Sequence, residues 1–380
     1  MKKLAFLIIH LIFCICNQIP NPPTKFISFT LYDAKIKFYS NQESLHMNVD
    51  FSSNITYFTS PDCVNCLIYN DNKPATVTCG AANSCIVMEK FSEKMNQSFS
   101  AQGDIVQIRI FYQEAYLQQI FRPLILQKAF YVKNIFQIGE KKPYQYYSLG
   151  LGFEKNTESS FLSSLYLQGK IDQLSYSIYL QPNDILILTL GGYDIKLISE
   201  QFIIMKNIES QKYMNDLYQA NVEFFGQPIE TFGQEEKAAT VYIDPNIQDE
   251  IILPQYMFKN IQKILTTLRQ EPDLESLAID NLGKWSTRNN QQTFGLHFYA
   301  DDNQGEQNKK VDVLFDYMEF MEESGEGYRP RIFFNPDKDV QVVQIGRMFL
   351  KKIMLYKYNP DQPREPVIRA FAPLKKLQTS

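Results

Sequence analysis

The chain has 380 residues, two to three times the usual length of a single domain, and so predicts two lobes. Its 44% hydrophobic content can fill sizeable cores, and a mean hydropathy of -0.28 excludes a polytopic membrane protein. A net charge of -4 gives no electrostatic footprint for nucleic acid.

The amino terminus reads as a secretory leader over residues 1–17. Lys2 and Lys3 precede an apolar run from Leu4 to Cys16, and polar Asn17-Gln18 follows. The run is too short for a comfortable membrane span. The alternative is an uncleaved anchor, and Leu11-Ile12-Phe13-Cys14 also mimics a lipobox. After leader removal no membrane span is expected. The mature chain is placed outside the cell or in a secretory, lysosome-like compartment.

Phe and Tyr are abundant, which favours strands. Alternation predicts strands over Phe26–Phe38 and Leu45–Phe58, then over Ile105–Phe111 and Ala129–Gln137. Between them lie Cys63, Cys66, Cys79 and Cys85, the cysteines outside the leader. In an oxidising compartment these predict two disulfides, with three possible pairings. Cys63-Val-Asn-Cys66 also has the spacing of a zinc site, but no histidine is nearby and disulfides are preferred; no metal or cofactor is expected. Asn54-Ile-Thr56 and Asn96-Gln-Ser98 are weak signals for N-glycosylation at Asn54 and Asn96.

Further along, Phe161–Gln168 predicts a short helix ended by Gly169, and Gln181-Pro182-Asn183-Asp184 a hairpin turn. The first lobe is assigned to residues 18–210 and the second to 211–380. In the second, Tyr218–Phe225, Ala238–Ile243 and Phe294–Tyr299 read as strands, and Pro254–Arg269 carries a helical apolar face. Asp301–Lys310 is a charged loop, and Val340–Phe349 and Lys352–Tyr358 close the chain.

One series of motifs is specific in order and spacing. It runs Tyr146-Tyr-Ser-Leu-Gly-Leu-Gly-Phe153, Gln168-Gly169-Lys170-Ile171, Leu174-Ser-Tyr-Ser-Ile-Tyr-Leu180 and Leu190-Gly191-Gly192-Tyr193-Asp194. This resembles the first lobe of the pepsin-like aspartic peptidases. The resemblance continues in Val343-Gln-Ile-Gly-Arg-Met-Phe-Leu350 and in Leu355-Tyr-Lys-Tyr358 through Ala370-Phe-Ala372. It implies an all-β, bilobal acid-protease fold with a few short helices, in a protein expected to be monomeric. Its cleft would bind an extended polypeptide as an added strand.

In that family one aspartate from each lobe shares a water. Two carboxyls so close cannot both ionise, so one serves as acid and the other as base. The resemblance places the first at Asp50 in Val49-Asp-Phe-Ser-Ser-Asn-Ile55, one residue shorter than the family's Phe-Asp-Thr-Gly-Ser-Ser-Asn-Leu. An ungapped alignment puts Val49 there instead. The second is Asp244 in Val241-Tyr-Ile-Asp-Pro-Asn-Ile-Gln248, where Pro245 and Asn246 replace Ser and Gly. Leu149-Gly150 and Ile345-Gly346 correspond to the strands that lie beneath each active-site loop.

Both signatures are therefore degenerate. The flap span Phe99–Asp104 lacks the family's tyrosine, Arg347 replaces an aspartate, and Asn17–Phe26 is too short for a prosegment. Two functions follow as expectations. One is an aspartic endopeptidase of reduced activity; the other is a non-catalytic pseudopeptidase that binds peptide or protein. A Ser/His/Asp site using His46 is disfavoured by strand alternation.

Overall fold

The computed structural model describes residues 23–32, 35–40, 43–51, 55–64, 78–79, 85–94, 99–115, 121–138, 148–151, 161–205, 207–208, 217–224, 226–229, 238–245, 247, 250–257, 260–261, 263–264, 294–300, 310–316, 319, 321–324, 327–330, 332–335, 341–360 and 367–375. Among these the chain is mostly β-sheet with few helices. It divides into two compact units, Pro20–Ile195 with Tyr356–Ile368, and Lys196–Leu355 with Arg369–Ser380. No helix among the described residues is long and apolar enough to cross a membrane.

The amino-terminal unit opens with β1 (Ile27–Leu31), β2 (Lys35–Ser40), β3 (Glu43–Asp50) and β4 (Tyr57–Val64). Then come β5 (Ile86–Lys94), β6 (Phe99–Gln113), β7 (Phe121–Ile138) and β8 (Ser148–Gly150). Helix α1 (Phe161–Leu167), β9 (Ser175–Leu180) and β10 (Leu186–Leu190) complete it. The stretch Phe26–Phe38, expected as one strand, is broken at Tyr32 and Lys35. Their amides and carbonyls bond reciprocally at 3.1 and 2.9 Å, which reverses the chain into β2.

Seven strands pair in the order β2-β3-β8-β4-β7-β6-β5, and β2 also pairs β6, so this sheet curls back on itself. Beside it, β1, β10 and β9 form an antiparallel layer. Every residue of β9 and β10 is buried, so both faces of these strands are covered. The turn into β10 is the expected one. Asp184 takes φ 61°, and the Gln181 N–H reaches the Ile185 carbonyl at 2.9 Å. Asp is among the residues that tolerate this left-handed conformation.

Helix α1 stops where Gly169, at φ 61°, donates to the Tyr166 carbonyl. Phe161 fixes the helix to the core. Its ring lies 5.5 Å from Phe38 and 6.3 Å from Phe29, and Phe29 lies 5.6 Å from Tyr112. A second cluster joins Phe91 to Phe130 at 5.0 Å, with Tyr57, Ile105 and Val132 around them.

The carboxy-terminal unit contains β11 (Ile203–Ile204), β12 (Asn207–Ile208), β13 (Leu217–Phe224), β14 (Gln227–Pro228), β15 (Ala239–Ile243) and β16 (Ile251–Leu253). It continues with β17 (Phe294–Tyr299), β18 (Lys310–Phe315), β19 (Met321–Ser324), β20 (Gly327–Pro330), β21 (Ile332–Phe334) and β22 (Val342–Ile345). The last strands are β23 (Ile353–Tyr358), whose Tyr356–Tyr358 belong with the first unit, and β24 (Ile368–Pro373). Its main sheet runs β18-β17-β13-β15-β22-β16-β21, with β12 and β14 also paired to β13. β13 and β15 alternate buried and half-buried residues, so one face turns inward. Tyr218, Phe298, Phe349 and Phe371 fill that interior, with ring centroids 4.7–6.2 Å apart.

Further sequence expectations need adjustment. Leu45–Phe58 is not one strand, since β3 ends at Asp50 and β4 begins at Tyr57. Val340–Phe349 is not one strand: β22 ends at Ile345, and a 3-10 helix follows over Arg347–Lys351 after Gly346. Of the helix expected over Pro254–Arg269, residues 255–257, 260, 261, 263 and 264 are helical, and Met257 and Ile261 face inward one turn apart.

Phe161→Ala should cost about 3–5 kcal/mol, because the void opens among rigid rings that cannot collapse into it. Urea unfolding of the mature chain checks this. A loss below about 1 kcal/mol would show that α1 is not tied down by that ring.

Candidate functional site

The two aspartates singled out by sequence sit in matching local frames. In the first unit β3 ends at Asp50, and the next strand in sequence, β4, does not pair with it. Instead β8 is inserted between them, parallel to β3 and antiparallel to β4. Val49 lies opposite Leu149 and Asp50 opposite Gly150, and the Leu151 N–H donates to the Asp50 carbonyl at 2.9 Å.

In the second unit β15 ends one residue before Asp244, and β16 follows in sequence. Here β22 is the inserted strand, again parallel to the first and antiparallel to the second. Ile243 lies opposite Ile345, and the Asp244 N–H donates to the Ile345 carbonyl at 2.9 Å. The correspondence extends outward. β4 pairs in parallel with β7 as β16 does with β21, and β3 pairs antiparallel with β2 as β15 does with β13. Leu149-Gly150 and Ile345-Gly346 thus run alongside the two aspartates.

The pleat separates Asp50 from its rival Val49. Along β3, Leu45, Met47 and Val49 point into the core, while Asn48 and Asp50 are half-buried on the other face. Asp244 is likewise half-buried, between buried Ile243 and buried Pro245. A carboxyl at or just after the end of a half-buried strand, with its side chain partly open, can meet water and still be held by the backbone.

Two departures from the motifs that the resemblance would lead one to expect, Phe51 and Pro245, have local physical accounts. Phe51 follows Asp50 where a glycine is expected, and its ring packs on Tyr176 of β9 at 5.7 Å. The buried ammonium of Lys357 lies 5.4 Å from the centroid of the same Tyr176 ring, a cation–π contact. The bulk at position 51 therefore has a berth within its own unit. At the second aspartate the Ile247 N–H donates to the Asp244 carbonyl at 3.1 Å, closing a four-residue turn. Asp followed by Pro suits the first two positions of a β-turn, and the second needs no N–H. The Ile247-to-Asp244 hydrogen bond thus closes the chain tightly behind Asp244, with Pro245 just after it. Arg347 ties this turn to the 3-10 helix, its N–H donating to the Ile247 carbonyl at 3.1 Å.

Beneath the first aspartate, Thr56 is buried and its Oγ1 accepts the Gly150 N–H at 3.2 Å. Its carbonyl accepts the Phe130 N–H at 2.9 Å, so Thr56 links β8 to β7. It is also the third residue of the first sequon. Asn54 and Asn96 themselves, with Ser52 and Ser53, lie outside the described residues, as does Cys66. Cys79 and Cys85 form a disulfide with Cα atoms 5.3 Å apart, and Cys63 is also disulfide-bonded. These bonds remove the thiolates a zinc site would need. The Cys79 N–H reaches the Tyr131 hydroxyl at 3.4 Å, and that hydroxyl bonds Ser60 at 3.2 Å, anchoring the stapled segment to β4 and β7.

The two described histidines, His46 and His297, stand apart from both aspartates in sequence and strand position. Strand alternation does not separate His46 from Asp50, contrary to the sequence expectation: both lie on one face of β3, and what keeps them apart is about 13 Å of extended strand. Burial, then Lys37 and Lys35, push the His46 imidazole below its ordinary value. His297 of β17 lies between two strands. Its Nδ1 is 2.6 Å from Asp312 Oδ1, and its Nε2 is 3.2 Å from Glu223 Oε2. Nδ1 is hydrogen-bonded to Asp312, whereas Nε2 is buried beside Glu223 without a hydrogen bond of its own. This group joins three separate strands, so only strand pairing could reveal it. The flap span Phe99–Asp104 is the start of β6, in a hairpin with β5, and Tyr112 stands farther along that strand in the core.

Thr56→Val should destabilise the mature chain by about 1–3 kcal/mol by stranding the Gly150 N–H, while Thr56→Ser should lose much less. Equal losses in urea titrations would show that methyl packing, not the hydroxyl, matters there. No family model matches this chain, and no curated protein matches it in sequence.

Proposed function

We propose that this chain is a secreted, bilobal acid-protease-type protein that binds an extended polypeptide and hydrolyses it weakly, using Asp50 and Asp244. The observation that supports this reading is the repeated frame. Each unit has an aspartate at or just after the end of a half-buried strand, and each sets in parallel beside that strand one that runs into a hydrophobic–Gly pair. The motif order around Gly150, Gly169, Gly191 and Gly346 resembles the pepsin-like family and supports the same reading.

In this mechanism one carboxyl is protonated and the other ionised. The ionised group takes a proton from water as its oxygen attacks the scissile carbonyl carbon. The protonated group shares its proton with the carbonyl oxygen, and the amine leaves with a proton as the C–N bond breaks. Activity is expected at acidic pH, where the singly protonated pair exists. Weak turnover follows from geometry, since misplacing a reacting group by about 1 Å can cost on the order of 100-fold. Phe51 and Pro245 replace residues whose small size and N–H groups would tune that placement.

The second reading is a pseudopeptidase that keeps peptide binding without cleavage. It is favoured by the same two residues, since Phe51 packs on Tyr176 and Pro245 is buried.

The test is cleavage of a denatured protein by the purified mature chain across pH 3–7. Catalysis predicts slow cleavage that peaks in the acid range and falls at least 100-fold in both Asp50→Asn and Asp244→Asn. Folded protein with no cleavage, or cleavage unchanged in either variant, would contradict it and leave the binding reading.

A further inference from the structure

We propose that Pro23-Thr24-Lys25 is a structural strap of the mature protein, and that the cut releasing the apolar leader falls on its amino side, at one of the bonds from Cys16–Asn17 to Pro22–Pro23. The inference does not depend on whether Asp50 and Asp244 cleave peptides.

The strap occupies a seat made for it. Asp172, in the turn after α1, gathers three contacts from the strap. Its Oδ2 accepts the Thr24 hydroxyl at 2.5 Å and the Lys25 N–H at 2.9 Å, while its Oδ1 lies 3.8 Å from Lys25 Nζ. The Asp172 N–H returns a bond to the Lys25 carbonyl at 3.3 Å. The other wall is Gly191-Gly192, directly after β10. Both residues have positive φ, 84° and 155°. A Cβ on Gly192 would lie 1.8 Å from Pro23 Cγ, inside a rigid ring. A Cβ on Gly191 would lie 2.5 Å from Ile171 Cβ and 3.1 Å from the Lys25 carbonyl oxygen. The two glycines are thus required twice over, by backbone conformation and by the chain passing across them.

A seat that admits no side chain serves only if the strap is present. A cut at or beyond Thr24 would leave the glycines uncovered and the Asp172 carboxylate without its donors. The leader must therefore leave by hydrolysis of a single peptide bond upstream of the strap. Water adds hydroxyl to the carbonyl carbon and hydrogen to the released nitrogen, which becomes the new amino terminus. The Thr24 hydroxyl first, with the Lys25 N–H and ammonium assisting, holds the Asp172 carboxyl below its ordinary value of 3.8. A depressed carboxyl stabilises the fold above its ordinary value and loses that contribution as pH falls through the lower, folded value. The strap accordingly persists through the mildly acidic range.

Two measurements decide the proposal. The first is the intact mass and amino-terminal sequence of full-length chain secreted from eukaryotic cells. The proposal predicts a first residue from 17 to 23; a folded product starting at Met1, or at Thr24 or later, would overturn it. The second is a coupling experiment on chains starting at Pro20 or Phe26, each with and without Gly192→Ala. With the strap, Gly192→Ala should lower the folded-to-unfolded ratio at least tenfold more than it does without. Equal losses in both backgrounds would overturn the strap. If the Phe26 chain does not fold, Asp172→Asn in the Pro20 chain replaces that arm. It should lower the thermal midpoint at pH 6 and reduce the difference between pH 6 and pH 3; a midpoint equal to wild type at both would overturn the proposal.

Discussion

The parallel pairing of a short strand that runs into a hydrophobic–Gly pair, against a strand that ends at or just before an aspartate, is the constraint on which each unit depends. In the first unit it sets Val49 against Leu149, and in the second Ile243 against Ile345. Without that insertion, β3 and β4 would be free to close on each other as a simple hairpin, and so would β15 and β16. With it, the chain must leave the first strand, turn, and return one strand farther over. The aspartate stands at the edge of that gap, held by one backbone bond on the inserted strand's side. Parallel neighbours cannot be joined by a tight turn, so long intervening segments follow from the same constraint.

Around this frame the two units solve packing differently. The first wedges α1 against an aromatic cluster of Phe29, Phe38 and Tyr112, and adds the fully covered strands β9 and β10. The second has a 3-10 helix where the first has α1, and fills its interior with Tyr218, Phe298, Phe349 and Phe371. The residues beside the two aspartates are held locally as well. Tyr176 gives Phe51 a partner, and the Ile247-to-Asp244 hydrogen bond closes the chain tightly behind Asp244. The repeated strand frame is present with Phe51 and Pro245 beside the two aspartates.

Much of this was legible in the sequence where local chemistry decides it. Gln181–Asp184 reads as a turn because Pro, Asn and Asp fit one, and α1 ends where Gly169 permits a positive φ. The alternation of Ala238–Ile243 likewise marks β15, which ends just before Asp244. The break between β1 and β2 was not legible, because Tyr32–Lys35 continues the alternation that suggests one strand. The insertion of β8 and β22 was not legible in the periodicity, since their partners lie far away in the chain and leave no periodic trace. The His297 group and the seat of Pro23 on Gly192 were hidden for the same reason. Gly191-Gly192 stood out as a motif, but its physical purpose needed the strap.

The most direct measurement is an experimental structure of the mature chain near pH 4.5, read for the Asp50 and Asp244 carboxyls. The account predicts that both carboxyls lie within hydrogen-bond reach of one shared water. Finding either carboxyl turned into its own unit's core or paired away from the other would contradict the catalytic reading.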